Sequence, residues 1–199
     1  MSTWQPIPGE TPIDPSGLKV ANITNRRELN IVEAENIRKI FVKYLAGKPN
    51  RRIAPFNFTW CLKLHREMFG DVWQWAGVIR SRDGLNIGVP FHCIRDQLQG
   101  LLNDLMSWGD YGMDLIEQAA RLHHRSVKIH PFENGNGRWA RMLANIQLKL
   151  HGHAITSWPD NIIADRSNIR DEYIATLQEA DNGDYKPLIE LHRRYTATK

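Results

Sequence analysis

The stretch IHPFENGNGRWARM, residues 129 to 142, brings one histidine, two Asn-Gly pairs and two arginines close together. An Asn-Gly pair is ordinarily the turn of a β-hairpin, which needs extended strands on both sides. Here the flanks LIEQAARLHHRSVKI and RWARMLANIQLKLHG repeat apolar residues at helical intervals. The spacing therefore predicts a helix, a tight loop and a second helix, with a purely structural turn as the alternative.

The glycine-rich loop has the composition of an anion site. Gly135, Asn136 and Gly137 stand immediately before the predicted second helix. Glycines let the backbone turn several N–H groups toward one point, and the helix dipole adds partial positive charge there. Arg138 and Arg141 are three residues apart, so they share a helix face and can bind further phosphate oxygens. The loop is predicted to bind phosphate; arginines that merely face water are the alternative.

His130 precedes this loop, and Pro131 disfavours helical backbone at the residue before it. The imidazole is therefore expected at the end of the first helix, beside the phosphate site. A group whose usual pKa lies near neutrality is suited to take a proton from an attacking hydroxyl. The histidine base, the glycine-rich loop and the two arginines together indicate that the protein transfers a phosphorus-centred group. The neighbouring histidines His123, His124 and His151 are interpreted as structural.

The rest of the chain predicts an all-α domain around these two helices. Besides 115–129 and 138–152, the patterns indicate helices over about 31–46, 57–70, 93–109, 167–184 and 186–195. Residues 1 to about 22 are rich in proline and are expected to form an irregular arm. The segment DVWQWAGVIRSRDGLNIGVPF carries Asp83-Gly84 and Pro90, a pattern typical of a small β-hairpin.

Composition narrows the class of protein. The chain has 199 residues, of which 42% are hydrophobic and 24% charged, and this predicts one globular domain with a short appendage. No apolar run approaches a membrane span and no secretory signal is visible, so a cytoplasmic protein without a membrane partner is expected. Cys61 and Cys93 belong to no metal or redox motif and receive no role. The net charge of +4 is spread along the chain, which disfavours nucleic acid as a partner.

The segment HPFENGNGRWAR resembles the motif HxFx(D/E)GNGRxxR of the Fic/Doc (Fido) family. The matching positions are His130, Phe132, Gly135, Asn136, Gly137, Arg138 and Arg141. The resemblance extends over LHREMFGDVWQWAGVIR and RDEYIATLQEADNGDYKPLIE, and it is nearest to small bacterial members named mobile mystery protein B. It implies a Fic-type helical bundle with a β-hairpin flap. The core domain would cover 55–192, after an N-terminal arm and helix over 1–50.

The resemblance further implies transfer of AMP from ATP to a hydroxyl of a target protein, with Mg²⁺ bound to the phosphates. His130 would be the base, the loop glycines would surround the phosphates, Arg138 and Arg141 would hold the β- and γ-phosphates, and Phe132 would anchor the core. The flap would align the target segment by strand-like pairing. Its expected docking residues are Arg82, Asp83, Gly84, Leu85, Asn86 and Ile87. Self-modification and a separate antitoxin or regulator are further expected interactions.

One position departs from the family motif. The family usually has an acid immediately before GNGR, where it ligates magnesium, but this chain has Asn134, with Glu133 one residue earlier. An amide oxygen can ligate magnesium without contributing charge, so weaker metal binding is expected unless Glu133 substitutes. Two alternatives stay open: another nucleotide or phosphate donor, and a nucleotide-binding protein with little turnover. A helix-turn-helix DNA binder is disfavoured by the glycine-rich loop.

The segment TNRRELN, residues 24 to 30, partly resembles the inhibitory motif (S/T)xxxE(G/N) of the family. Thr24 and Glu28 have the required spacing, but Leu29 occupies the Gly/Asn position. The resemblance implies that Glu28 pairs with Arg141 and blocks the seating of the γ-phosphate. A glutamate that merely faces water is the alternative.

Overall fold

The computed structural model of the chain describes residues 14–83, 87–159 and 168–196. Helices account for most of this part of the chain, which confirms the all-α prediction. The helices are α1 (Arg26–Phe41), α2 (Phe58–Phe69), α3 (Ile94–Trp108), α4 (Leu115–Ile129), α5 (Asn136–Leu150), α6 (Asn168–Asp181) and α7 (Lys186–Tyr195). A π-helical turn over Val42–Ala46 extends α1.

Short polar side chains begin three of these helices. Asn25, Asn57 and Asp114 each accept a hydrogen bond from a backbone N–H in the first turn of α1, α2 and α4. Such caps satisfy donors that a helix leaves without an internal partner. The Asn25 cap begins α1 at residue 26, earlier than the predicted start near 31, because the mostly polar first turn shows no apolar period.

The core is built around α4 and α5, which pack along each other on either side of the motif loop. Leu122 of α4 and Trp139, Leu143 and Ile146 of α5 are fully buried. α3 and α7 pack against α4, while α1 packs against α2. Among the described residues, no helix combines the length and the apolar composition needed to cross a membrane.

The N-terminal arm crosses the connection that follows α2. The N–H of Lys19 donates to the Val72 carbonyl at 2.8 Å, and the Gly17 carbonyl accepts from the Gln74 N–H at 2.9 Å. These bonds hold residues 14–22, which are irregular as predicted apart from one 3₁₀ turn.

The flap, residues 78–91, differs from the predicted hairpin. No paired strand is present in its described parts, 78–83 and 87–91. Its two stems are joined by a side chain instead, because Arg80 donates to the main chain of both. The predicted docking residues Gly84, Leu85 and Asn86 lie outside the described residues.

We expect Leu122→Ala to destabilise the fold strongly. The side chain is fully buried in α4, so its truncation leaves a cavity in the core and should lower the free energy of unfolding by about 2–5 kcal/mol. Met106→Ala on α3 is the control, because Met106 is 62% exposed and should change stability by less than about 0.5 kcal/mol. Urea unfolding of both variants tests this, and equal midpoints would contradict the assigned core.

Candidate active site

The loop between α4 and α5 is closed by the side chain of Asn136. Its Oδ1 accepts a hydrogen bond from the Phe132 N–H at 2.9 Å, and its Nδ2 donates to the Phe132 carbonyl at 2.8 Å. Both bonds are buried, where an unsatisfied partner costs about 1–3 kcal/mol. Asn136, expected to bind phosphate, therefore uses its side chain to hold the loop.

Aromatic rings support the loop from beneath. Phe132 is fully buried, and its ring stacks on His65 with centroids 3.6 Å apart, as expected of a core anchor. Gly135 has a φ of +77°, and a Cβ at this position would lie 2.7 Å from the Phe69 ring. Glycine is required here for the left-handed backbone and for the close approach of the ring.

His65 joins α2 to the same loop. Its Nδ1 accepts from the Gly77 N–H at 2.9 Å, so Nε2 carries the proton and donates to the Asn134 carbonyl at 3.1 Å. Burial lowers the pKa of His65 to about 3, outweighing the Asn134 hydrogen bond, which raises it. This imidazole is a neutral structural support.

A cavity of about 620 Å³ opens in front of the N-terminus of α5. The N-cap Gly135 provides no capping side chain, so the first-turn N–H groups of α5 are not covered by one. Basic side chains predominate among the charged residues of the cavity wall: Arg26, Lys128, Arg138, Arg141 and Arg170, against Glu33 and Asp181. An uncapped helix N-terminus in a positively charged wall suits a polyphosphate ligand.

His130 ends α4 in the left-handed conformation, with φ of +51°. Its Nδ1 lies 3.1 Å from the Val127 carbonyl, which can only accept, so Nδ1 carries the proton and Nε2 is the acceptor nitrogen. Burial lowers the pKa of His130 to about 4; the positive charge of Arg80 lowers it further, while the Val127 hydrogen bond opposes both. The imidazole is therefore neutral near pH 7 and able to receive a proton.

Arg138 forms an ion pair with a buried glutamate of α1. Its Nη1 lies 2.6 Å from Oε2 of Glu33, which is 3% exposed. The other carboxylate oxygen of Glu33 accepts from the Trp73 indole N–H at 2.7 Å. α1 thus places a carboxylate in the cavity, against one of the two arginines predicted to bind phosphate.

Arg141 has a neutral partner instead. Its Nη1 donates to the Tyr173 hydroxyl at 3.4 Å, and no carboxylate in the described part of the chain lies within ion-pair distance of it. Behind Tyr173, the hydroxyl is 3.0 Å from Nε2 of His123, whose Nδ1 is 3.0 Å from Nε2 of His192. A buried guanidinium whose protein partner is a phenol is well suited to an anionic ligand.

The model of the Fic/DOC family matches residues 55–148, from the approach to α2 to nearly the end of α5. The chain carries a Fic/DOC family domain. The match contains His130, the loop and both arginines, so this domain supplies the centre of the site. α1 and α6, which complete the cavity wall, lie outside the matched residues.

Curated relatives of the Fic/DOC domain are named as transferases. Protein adenylyltransferase fic-1 of Caenorhabditis briggsae is 34% identical over 140 residues, which is 68% of this chain and 25% of the relative. Protein adenylyltransferase Fic of Aedes aegypti is 31% identical over 132 residues, or 64% of this chain and 25% of the relative. The chain therefore spans about a quarter of the length of these relatives.

Solved structures share the fold. A fragment of Fic-1 from C. elegans superposes with a TM-score of 0.67 at 26% identity, covering 88% of this chain and 51% of the fragment. The N-terminal Fic domain of a Bartonella quintana protein gives a TM-score of 0.68 over 97% of this chain and 94% of that one. Since its identity is 19%, that likeness concerns the fold alone. The predicted Fic-type helical bundle is confirmed.

The Fic/DOC domain brings most of the predicted site residues to the one cavity. His130, Asn134, Gly135, Asn136, Gly137, Arg138, Arg141 and the flap residue Ile87 all line it. Glu133 is not part of this lining, and its carboxylate lies 3.5 Å from Nη2 of the exposed Arg82. Of the two oxygen ligands predicted for magnesium, Asn134 is therefore the one in the cavity wall.

The predicted pair between Glu28 and Arg141 is not formed. Glu28 accepts hydrogen bonds from the backbone N–H and the hydroxyl of Thr24 at 2.8 and 3.1 Å, and its own N–H donates to Asn25. These contacts cap the start of α1. The four-residue spacing did bring Thr24 and Glu28 together, but the carboxylate serves the helix end and not the cavity.

Sequence reasoning missed four residues that shape the Fic/DOC site: Glu33, His65, Arg80 and Tyr173. For Glu33 a signal was present, because the buried residues of α1 are Leu29, Glu33, Asn36 and Ile40, at helical intervals. A glutamate on the buried face of a helix needs a partner, and its position could have been recognised once the helix start was known. The partners of His65, Arg80 and Tyr173 come from distant segments, and no local pattern identifies them.

We expect the fold to lose stability on acidification. Burial lowers the pKa values of His65 and His192 to about 3 and that of His130 to about 4. The unfolded chain, with histidine pKa values near 6.5, binds these protons first. Their stabilising contribution is therefore complete above about pH 6.5 and falls as the pH drops toward 4, by up to about 1.4 kcal/mol per pH unit for each histidine. Urea unfolding at several pH values tests this; a flat profile over that window would contradict it.

Proposed function

We propose that the chain is a protein adenylyltransferase that moves AMP from ATP to a hydroxyl side chain of a target protein. The observation that carries the proposal is the neutral imidazole of His130 in the same cavity as the uncapped N-terminus of α5 and two arginines. A base beside a polyphosphate site suits phosphorus-centred transfer to an oxygen nucleophile. The similarity to relatives named adenylyltransferases supports AMP as the transferred group.

In this reaction Nε2 of His130 takes the proton of the target hydroxyl while the hydroxyl oxygen attacks the α-phosphorus. The bond from that phosphorus to the bridging oxygen breaks, and pyrophosphate leaves with the electron pair. The first N–H groups of α5 and the guanidiniums of Arg138 and Arg141 bind the phosphates and stabilise the developing negative charge. Bound phosphates also raise the low pKa of His130, because nearby negative charge favours imidazolium.

The flap is the proposed docking edge for the target. Ile87, Gly88 and Val89 line the cavity, and Arg82, Asp83 and Ile87 are exposed. Docking by main-chain contacts requires little sequence specificity, so modification of the chain itself is included in the proposal. A cytoplasmic location, a separate antitoxin or regulator and the resemblance to mobile mystery protein B stay predictions from the sequence.

We also propose that Glu33, and not Glu28, restrains the enzyme. Its carboxylate forms an ion pair with Arg138 and places a negative charge where the phosphates of the donor nucleotide would bind. Nucleotide must displace a charge-assisted hydrogen bond, worth about 1.5–3 kcal/mol, before Arg138 can bind phosphate. Glu33→Gln removes the charge and keeps an oxygen acceptor for Trp73.

The expected result is a faster transfer by Glu33→Gln than by the wild type, by about 10- to 100-fold, which is the rate equivalent of that hydrogen bond. Adding His130→Ala should lower the rate again by about 10²- to 10⁴-fold, because the general base is lost. ATP labelled at the α-phosphate measures both effects, with the chain itself and a cell lysate as acceptors.

Glu35→Gln is the matched control, since Glu35 lies on the exposed side of α1 and pairs with Arg38. It should leave the transfer rate unchanged. Equal activity in Glu33→Gln and Glu35→Gln would refute the restraint. Binding of ATP by Glu33→Gln without transfer from any nucleotide would instead favour a nucleotide-binding protein, the alternative suggested by Asn134.

Magnesium is part of the proposal, and its protein ligands here are few. No group of three or more His, Cys, Asp or Glu side chains that could hold a metal ion occurs among the described residues. That fits Mg²⁺, which is commonly held by one or two protein oxygens together with substrate phosphates. The amide Oδ1 of Asn134 accepts from the Gly135 N–H at 2.7 Å and is the ligand we assign. Bound magnesium would neutralise phosphate charge.

Asn134→Asp should raise the Mg²⁺ affinity of the ATP complex, on the order of tenfold, because it adds a charged oxygen ligand and keeps an acceptor for Gly135. Calorimetric titration of the ATP-bound protein with Mg²⁺ measures this without relying on activity. The control is Asn103→Asp, the same change at an exposed position of α3. No difference between the two variants, with a loss of affinity in Glu133→Gln, would assign the ligand to Glu133 instead.

A further inference from the structure

Arg80 is a buried cation in the flap, and it contacts none of the groups assigned to bind phosphate. Only 3% of it is exposed, so its charge requires several acceptors. Nε donates to the His130 carbonyl at 2.8 Å, Nη1 donates to the Arg82 carbonyl at 2.9 Å, and Nη2 donates to the Val89 carbonyl. The guanidinium therefore joins both stems of the flap to the backbone of the proposed base.

The contact between the flap and the end of α4 involves three consecutive carbonyls. The Val89 N–H donates to Ile129 at 3.4 Å, Arg80 Nε donates to His130, and the Arg80 N–H donates to Pro131 at 3.0 Å. These carbonyls can accept hydrogen bonds from residues outside α4 because the left-handed conformation of His130 ends the helix. Two of the three bonds come from residue 80, one from its backbone and one from its guanidinium, and the second is the bond that depends on the arginine.

Gly88 shows how closely the flap approaches His130. Its φ is +128°, and a Cβ there would lie 2.7 Å from Nη2 of Arg80 and 3.1 Å from Cβ of His130. A side chain at residue 88 would force the flap, the guanidinium or the histidine to move. Glycine at residue 88 is thus required for Arg80 and His130 to lie this close to the flap backbone.

Asp83 also joins the two stems of the flap, through the same Nη1 of Arg80 that donates to the Arg82 carbonyl. Its Oδ1 lies 3.2 Å from Nη1 of Arg80 and also accepts from the Phe91 N–H at 2.8 Å. The stems before and after the flap tip are therefore held through one guanidinium and one carboxylate. Because side chains provide this connection, the geometry of the flap depends on Arg80 more than it would in a paired hairpin.

We propose that Arg80 is a positioning residue that fixes the spacing between the flap and His130, so that an acceptor hydroxyl docked on the flap reaches Nε2 of the imidazole. It acts through the His130 backbone and the flap main chain, not on the donor nucleotide. This inference rests on the proposed function for its catalytic consequence, while its structural part can be tested independently. A lysine at residue 80 would keep the charge but cannot direct donors to carbonyls on both stems and on His130 at once.

Arg80→Lys and Arg80→Met, made in the Glu33→Gln protein, test the proposal. Both should bind ATP with a Kd within about threefold of the parent, because the contacts of the phosphate loop remain. Both should transfer AMP about 100-fold more slowly at saturating ATP, the loss typical of a reactant displaced by about 1 Å. Arg194→Lys and Arg194→Met are the controls: this arginine of α7 is half-exposed, pairs with Glu172 and should leave both quantities unchanged.

Hydrogen exchange gives the readout that does not depend on activity. The amide of Val89 should exchange at least about tenfold faster in both Arg80 variants, while the core of α5 keeps its protection. Transfer by Arg80→Lys at the rate of its Glu33→Gln parent, unchanged exchange at Val89, or parallel losses of ATP binding and transfer would each overturn the proposal. If Arg80→Met does not fold, Arg80→Lys decides alone. If the parent itself transfers nothing, the proposed function fails, and exchange at Val89 still decides whether Arg80 holds the flap.

Discussion

The pair of hydrogen bonds between the Asn136 side chain and the Phe132 backbone is the constraint on which the site depends. It forces the chain to turn within four residues, directly before α5 begins. Phe132 is at the same time fixed by its stack on His65, so the turn is held to the core as well as to itself. The N–H groups at the start of α5 and the imidazole of His130 are thereby held on the two sides of one short loop. A polar side chain inside the motif thus fixes the loop that precedes α5.

Three buried or half-buried guanidiniums surround this loop, and their partners separate their roles. Arg80 is satisfied mainly by backbone carbonyls, which no ligand displaces easily, and so it suits a fixed support. Arg138 is paired with Glu33, a charged partner that an incoming phosphate can replace. Arg141 has a phenol, the weakest acceptor of the three, and is the most ready to bind an anion. The sequence alone shows three arginines; only the structure shows that their partners are backbone carbonyls, a carboxylate and a phenol.

The parts that were predictable from the sequence are those encoded locally. The two helices around the loop follow from apolar spacing, and the end of α4 follows from Pro131, which restricts the backbone of the residue before it. The start of α5 was predicted two residues too late, because Asn136 and Gly137 were assigned to the loop. The pair between Glu28 and Arg141 was predicted wrongly, since equal spacing places residues on one face without saying which face meets the site. The Glu28 carboxylate accepts hydrogen bonds at the start of α1, whereas Glu33 lies more than one turn further along, on the buried face of the helix. The hairpin was also predicted wrongly for the described parts of the flap, where the side chain of Arg80 bonds to the main chain of both stems and no strand pairing is present.

Hydrogen-bond chains between distant segments are the other feature that local sequence patterns do not encode. The histidines behind Arg141 form such a chain. A guanidinium can only donate, so the Tyr173 hydroxyl accepts from Arg141 and gives its own proton to Nε2 of His123. His123 must then donate from Nδ1 to His192, which donates onward to the Thr156 hydroxyl. The chain of bonds continues through the hydroxyl of Thr196 to a backbone carbonyl, which can only accept. Burial lowers the pKa values of His123 and His192, which keeps both rings neutral as this order requires. The Arg141 guanidinium at one end and the His192 carbonyl at the other therefore determine which atom donates in every bond of this chain. Because His192 belongs to α7, the same bonds tie the position of α7 to the guanidinium that faces the cavity.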